Sequence, residues 1–396
     1  MKRRTTKIFS VRLGKRLPVA LMTMALTAAN MAFAQEENPW VGEALPTASG
    51  EFYLYNKSGD GFLLGANTWG TQGSLGQPGL LCTVVVSNGK YKIVTRCNGD
   101  NRGLGSDGHI DNGNPAEYTF TDPTPDDGLN EYVMDLDASK RFYYGGEGTV
   151  LKLDGNGNDT DAQWLLVSKK QREDRLAQAT EDNGVDATFY IMGASFVRTE
   201  PHNWKEVHNG GTVSLSSPRE ASGNHFYCAE ASNNDNFDIY QELTGIRNGR
   251  YRLTCQGFYR GDGSVRNAML YAGLIESPLL LAESEEDVPT DANKAAIAFG
   301  DGRYGGNTVE VIVQDGTLRL GVKKNAHIKN DWAVFDNFRL TYLGEATAEE
   351  AFTELVGSFQ NLINDFNDLG AEAIKSELQV VYDKYVGTTG DVTEAL

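Results

Sequence analysis

The stretch from Val309 to Tyr342 constrains the fold more than any other part of this chain. Val309, Val311 and Val313 alternate with polar residues, Asp315-Gly316 follows, and Leu318, Leu320 and Val322 alternate again. A two-residue period on both sides of an Asp-Gly pair is the signature of a β-hairpin. With Asp315 and Gly316 as the turn, the expected cross-strand pairs are Val313 with Leu318, Val311 with Leu320 and Val309 with Val322, so all six side chains share one face. A slip of one residue would send the whole set to the other face, so the pattern fixes the register. The next segment, DWAVFDNFRLTYLG, continues the period with Trp332, Val334, Phe338, Leu340 and Tyr342 on one parity. Asp336 falls on that core-facing parity, where a carboxylate must be paired, hydrogen-bonded or bound to a metal.

Residues 1–34 read as an export signal. Lys2, Arg3, Arg4, Lys7, Arg12, Lys15 and Arg16 form a basic region, Leu17 to Ala28 is largely apolar, and Ala32-Phe33-Ala34 is a small-x-small cleavage site. The mature chain is expected to begin at Gln35 and to be secreted or extracytoplasmic, at the cell surface or in the periplasm, with no membrane insertion after cleavage. Loss of seven basic residues takes the formal charge from −18 to −25, a surface that repels nucleic acid and anionic membranes. Export permits disulfides. Asn88-Gly89 as a turn would set Cys82 opposite Thr95, leaving Cys97 a diagonal neighbour at roughly 7 Å, too far for a bridge without a bulge. A bridge between Cys228 and Cys255 stays open.

About 360 residues remain, enough for two or three domains. The 44 glycines and scarce helix-forming runs before residue 345 point to a mainly β fold. A first domain is expected over 40–167, and residues 50–167 of it carry a weak threefold repeat: FYLYN, YKIVT and YVMDL, each followed by a second element (GFLLGA, RGLGSD, RFYYGG), at a spacing of about forty residues. Three copies of a short-strand unit suit a closed three-lobed barrel. Residues 168–185 read as a linking helix, and 186–344 as a β-sandwich with Asn248-Gly249 as one of its turns. Residues 283–296, rich in acid and interrupted by proline, read as an exposed loop. Beyond Ala346, Phe352, Leu355, Val356, Phe359, Leu362 and Ile363, then Ile374, Leu378, Val381 and Tyr385, recur at helical spacing. Two amphipathic helices should meet near Leu369-Gly370, with a third beginning at the end of the sequence, so that 346–396 forms a partial helical bundle.

The first segment, with its closing strand DAQWLLV, resembles the ricin-like β-trefoil lectins. Their signature places one residue between Gln and Trp, whereas Gln163 here directly precedes Trp164, so no sugar-contact residue is carried over. DATFYIMGASFVR, NFDIYQELTGIRNGRYRLTCQGFYR and DWAVFDNFRLTYLG resemble the galactose-binding-like jelly-roll domains of secreted and surface proteins from gut Bacteroidetes. The helical segment resembles FIVAR-type modules. The jelly-roll resemblance implies binding of glycans or glycoproteins, often beside a catalytic domain.

Tyr259 and Arg260, in GFYRGDGS, end a strand where side chains should project from the sandwich rim into a glycine-rich loop, as binding residues commonly do. Trp204, beside His202 and Asn203, and Trp69, between glycines, could stack on a sugar ring; Trp332 suits a core. The resemblance to calcium-containing carbohydrate-binding sandwiches places a structural metal ligand at Asp336, with Glu230 as a second oxygen donor. The alternative is that Asp336 accepts backbone N–H bonds before the last strand. Among His109, His202, His208, His225 and His327 there is no HExxH spacing, and no serine lies in GxSxG. The sequence therefore reads as a secreted, non-catalytic glycan- or glycoprotein-binding protein. Its rivals are the targeting region of a carbohydrate-active enzyme or peptidase, and an adhesin or spacer.

Overall fold

A computed structural model describes residues 40–66, 71–146, 150–217, 227–261, 268–282, 288–325, 330–369 and 372–388. The fold is mainly β. Ten strands come first: β1 (Gly50–Asn56), β2 (Gly61–Ala66), β3 (Gln72–Gly76), β4 (Leu81–Ser87), β5 (Lys90–Val94), β6 (Thr119–Thr121), β7 (Tyr132–Asp137), β8 (Lys140–Tyr144), β9 (Leu151–Asp154) and β10 (Gln163–Val167). Their pairing closes on itself. β1 pairs with β4, β4 with β5, β6 with β7, β7 with β10 and β10 with β1. Tyr91 and Tyr118 complete the ring by exchanging backbone bonds at 2.9 and 2.8 Å. Asn88 and Gly89 both take positive φ and join β4 to β5 in the expected register.

The strands β1 and β10 are buried on both sides. Leu54, Trp164 and Leu166 fill the ring, with the Trp164 Nε1–H donated to the carbonyl of Phe142 at 3.0 Å. Tyr53, Tyr55, Leu165 and Val167 alternate outward, into a second core shared with the sandwich. That alternation of two apolar sets explains why QWLLV is a continuous hydrophobic run.

Helix α1 (Lys169–Arg175) leads from the ring to the sandwich, capped by Ser168, whose hydroxyl accepts from the Gln171 N–H. The sandwich strands are β11 (Val185–Asp186), β12 (Lys205–Asn209), β13 (Thr212–Ser217), β14 (Cys228–Ser232), β15 (Asn236–Thr244), β16 (Gly249–Arg260), β17 (Ala268–Ala272), β18 (Ile275–Pro278), β19 (Leu280–Leu281), β20 (Asn307–Val313), β21 (Thr317–Lys324) and β22 (Trp332–Gly344). One sheet runs β13-β14-β22-β16-β19, with β20 also on β16 and β11 on β22; the other runs β12-β15-β21-β17-β18.

This topology corrects the expected hairpin. β20 pairs with β16, and β21 pairs with β15 and β17, so Asp315-Gly316 carries the chain from one sheet to the other. Val309, Val311, Val313, Leu318, Leu320 and Val322 nonetheless all lie in one core, facing each other across the gap between the sheets. The two-residue period identifies the face each strand buries; it does not distinguish strands paired about 5 Å apart from strands stacked about 10 Å apart.

A second correction concerns β22. Thr254 pairs with Arg339 but Gln256 with Asp336, so Asn337 and Phe338 together oppose Cys255, and Asn337 takes φ 52°. This β-bulge reverses the parity of the strand. Phe338, Leu340 and Tyr342 face the sandwich core, joined by Ala333 and Phe335, whereas Trp332 and Val334 face away from it, under a helix.

That helix, α2 (Ala292–Gly300), occupies part of the segment expected to be an exposed loop. Asp291 caps it, and Ala295, Ala296 and Phe299 pack on Cys228, Phe258, Trp332 and Val334. Helices α3 (Ala348–Leu369) and α4 (Glu372–Tyr385) follow. Thr347 and Glu350 form a capping box at the start of α3, each accepting the other's backbone N–H at 3.2 and 2.8 Å. The Glu354 carboxylate accepts the Ile312 N–H at 2.7 Å, which covers the open edge of β20. All four cysteines are free thiols and buried, and Cys228 and Cys255 lie on opposite faces of their sheet. Among the described residues, no helix is long and apolar enough to cross a membrane.

Candidate functional site

The structure separates the residues singled out from the sequence. Tyr259 does not leave the sheet at the rim: it is 1% exposed, on the core-facing parity of β16, and its hydroxyl donates to Asp331 Oδ2 at 3.2 Å. Asp331 also pairs with Lys324, and both side chains are almost wholly buried. Its other oxygen accepts the Asn233 N–H at 3.0 Å. These groups close one end of the sandwich. Arg260 lies on the opposite face, its guanidinium 4.9 Å from the Trp332 ring centroid and one Nη donating to the carbonyl of Pro289 at 3.2 Å. Trp204, expected to be open, is 6% exposed and stacked on Phe196 at 4.8 Å, with Nε1–H donated to the carbonyl of Gly193. Trp69 lies outside the described residues.

Asp336 and Glu230 share the face covered by α2. The Asp336 carboxylate accepts the Asn337 N–H at 2.6 Å, and Glu230 accepts the Trp332 indole N–H at 2.8 Å. Burial pushes the Asp336 carboxyl well above its usual range, the Asn337 N–H and the Arg339 charge opposing it. Among the described residues, no group of three His, Cys, Asp or Glu side chains stands close enough to hold a metal ion. Asp336 and Glu230 supply two carboxylates to this face, and calcium takes six to eight oxygens.

A larger feature lies elsewhere, between the ring and the sandwich. It is a cleft of about 620 Å³, walled by Leu64 to Gly65 and Ser74 to Leu81 on one side and by residues 189–203 and β15 on the other. The two walls are held by Arg172. Its guanidinium lies 4.6, 4.5 and 4.6 Å from the ring centroids of Tyr53, Phe62 and Phe189. Its nitrogens donate to the carbonyl of Pro78 at 2.5 Å and to Asp186 at 3.2 Å. Two rings and a carbonyl from the first body, and one ring and a carboxylate from the second, thus converge on one buried cation. Burial lowers the Arg172 pKa, with Asp186 countering the effect.

The 189–203 segment is itself anchored. The Gln241 side chain exchanges both its bonds with the Met192 backbone, at 3.2 and 2.7 Å, and the Phe338 N–H at the bulge donates to the carbonyl of Ala194 at 2.9 Å. Glu200 crosses the junction: its Oε1 accepts the Gly65 N–H at 3.1 Å, while the Asn98 N–H donates to the carbonyl of Thr199 at 2.8 Å. Burial pushes the Glu200 carboxyl up to about 7, the Gly65 bond opposing. Against this frame, Met192 and Asn203 are exposed, Tyr190 is half-buried, and Lys169, Arg96 and Arg339 stand among the lining residues. The cleft therefore offers apolar contact and several hydrogen-bond donors on a rigid support, the usual composition of a small-ligand site. Sequence reasoning missed it because its walls come from segments more than a hundred residues apart. The one local signal was the unusual apolar and aromatic density of ATFYIMGASF.

No protein-family model matches the chain. No curated protein matches it either. Among solved structures, it is similar to TmCBM61 in complex with beta-1,4-galactotriose, with 16% identity over 39% of this chain and 97% of that one and a TM-score of 0.25. It is similar to the K2 cleaved adhesin domain of Lys-gingipain, with 13% identity, 38% and 95% coverage and a TM-score of 0.23. A carbohydrate-binding module of the beta-sandwich superfamily, described for promiscuous specificity, aligns at 9% identity over 74% of this chain and 98% of its own, with a TM-score of 0.22.

Proposed function

We propose that this is a secreted, non-catalytic glycan-binding protein, built from a β-trefoil-like body and a galactose-binding-like sandwich, that holds a sugar in the cleft between them. The observation that carries the reading is the cleft of about 620 Å³, because its walls are fixed relative to each other before any ligand arrives. A preformed site avoids the ordering cost that weakens flexible binders. Met192 and Tyr190 supply the apolar contact that a pyranose face needs, and the Asn203 amide and Lys169 ammonium reach its hydroxyls. The resemblance of residues 186–344 to galactose-binding-like domains supports the same ligand class.

The chain from Gln35 onward should bind members of a broad glycan array with weak affinity. Asn203→Ala and Lys169→Ala should each weaken binding by about 1 kcal/mol, measured by calorimetry, with circular dichroism unchanged. A parent that binds no glycan would overturn the reading. Equal binding by parent and both variants would move the site to the sandwich end around Arg260.

A further inference from the structure

In a chain of net charge −18, basic residues outnumber acidic ones in the cleft lining. Among the described residues, Arg96, Lys169 and Arg339 line it, against two carboxylates, Glu200 and Glu242. Neither carboxylate stands as an unbalanced negative charge in the cleft. Glu242 is held by Lys205 at 2.5 Å and by Arg319 at 3.7 Å. Glu200 is buried on the Gly65 N–H, and burial favours its protonated form up to about pH 7. The cations differ from one another. Arg96 pairs with Glu51 at 3.2 Å and Lys169 with Glu173 at 3.5 Å, both contacts with partly exposed acids that a ligand can displace at small cost. Among the described residues Arg339 has no carboxylate within ion-pair distance; its charge acts on the buried Asp336 carboxyl, and one Nη donates to the carbonyl of its neighbour Phe338 at 3.2 Å. It stands half-buried beside the Asn337 bulge, where solvent screens a charge less than at an open surface.

We propose that the cleft selects glycans carrying a carboxylate, uronic acid residues, with Arg339 as the group that reads the acid. This rests on the cleft being the glycan site. A planar guanidinium matches a carboxylate through two parallel N–H bonds, which a hydroxyl cannot accept in the same way. Lys169 adds charge without a planar fork, and the Arg96 fork is held by Glu51 at 3.2 Å and by the carbonyl of Leu81 at 2.9 Å, so the selection resides at Arg339. The acidic exterior does not oppose it, because a Debye length of about 8 Å at physiological salt screens the outer charges from the cleft interior.

Calorimetry on the chain from Gln35 onward tests this with an oligouronate, its carboxyl-reduced neutral counterpart, and a sulfated neutral oligosaccharide of the same length. The oligouronate should bind at least about tenfold more tightly than the reduced sugar. Arg339→Gln should remove most of that difference by weakening the oligouronate far more than the neutral sugar, and raised salt should weaken chiefly the oligouronate. Equal affinity of the parent for acid and reduced sugar overturns this inference while leaving glycan binding in place. Preference for the sulfated sugar over the uronate also overturns it, because the reader would then recognise a tetrahedral anion. Binding of none of the three overturns both readings. Should Arg339→Gln fail to fold, the comparison of acid with reduced sugar on the parent still decides.

Discussion

Asp336 shows how one backbone residue can change the meaning of its neighbour. By alternation with Trp332 and Val334 the carboxylate belongs to one face, and by alternation with Phe338 and Leu340 to the same face. The Asn337 bulge makes these two faces opposite, so Asp336 leaves the sandwich core and is buried instead beneath α2. There it accepts one N–H, and burial raises its pKa. A carboxyl whose native pKa lies above its unfolded value binds protons more tightly when folded. Its stabilising contribution is therefore complete below the ordinary value of 3.8 and is lost as pH rises toward the native pKa. Asp336→Asn keeps an oxygen for the Asn337 N–H and removes the ionisation. The variant should be more stable than the parent at pH 7 by at least about 1 kcal/mol, and the two should converge near pH 3 to 4. Urea titrations across that range measure the difference. A gap that grows at low pH would mean that Asp336 is ionised and partnered in the native state, and an unchanged gap that folding does not shift its pKa.

At the scale of elements, β20 and β21 show what a hydrophobic pattern specifies. Val311 is 5% exposed in the core between the sheets, while Glu310 points outward to Arg252 at 2.7 Å. Val311→Lys should cost several kcal/mol, about 3 or more, by placing an unpaired ammonium in the core. Glu310→Lys should cost about 1 kcal/mol or less, since it exchanges an exposed ion pair for a repulsion. A larger fall in melting temperature for Glu310→Lys than for Val311→Lys would show that the strand is turned the other way. The buried face was thus legible in the sequence, and the partner was not, because lateral pairing and stacking across a sandwich demand the same alternation. The Asn88-Gly89 turn was legible because the local dihedral preference alone decides it. Helix α2 was not: ANKAAIAFG is short and follows acid and proline, and its structural logic is visible only where Ala295 and Phe299 meet Phe258 and Val334. The bulge at Asn337 leaves no hydrophobic mark of its own, since both faces it exchanges are apolar.

For the whole molecule the decisive contact is a cation. The outward faces of β1 and β10 would be an exposed apolar patch on an isolated ring, and residues 185–197 would lack a wall to pack on; each body therefore buries the other's surface. Arg172 enters that shared core with its charge met by three aromatic faces, one carbonyl and one carboxylate. The candidate site was illegible in the sequence for this reason: Gly65, Arg96, Lys169, Glu200 and Arg339 become neighbours only after the ring and the sandwich have docked. Arg172→Ala should remove the pin, leave Asp186 without its guanidinium and open a void between Tyr53, Phe62 and Phe189. The expected loss is about 3 kcal/mol or more, concentrated at the junction instead of within either body. Scanning calorimetry should then resolve two transitions where the parent shows one, and glycan affinity should fall with the ordering cost that the variant must meet on binding. Arg172→Lys, which keeps the charge but not the planar fork, should fall between the two. A variant that melts in a single transition at the parent's temperature would show that the two bodies are joined by apolar burial alone, with the buried cation contributing nothing to the union.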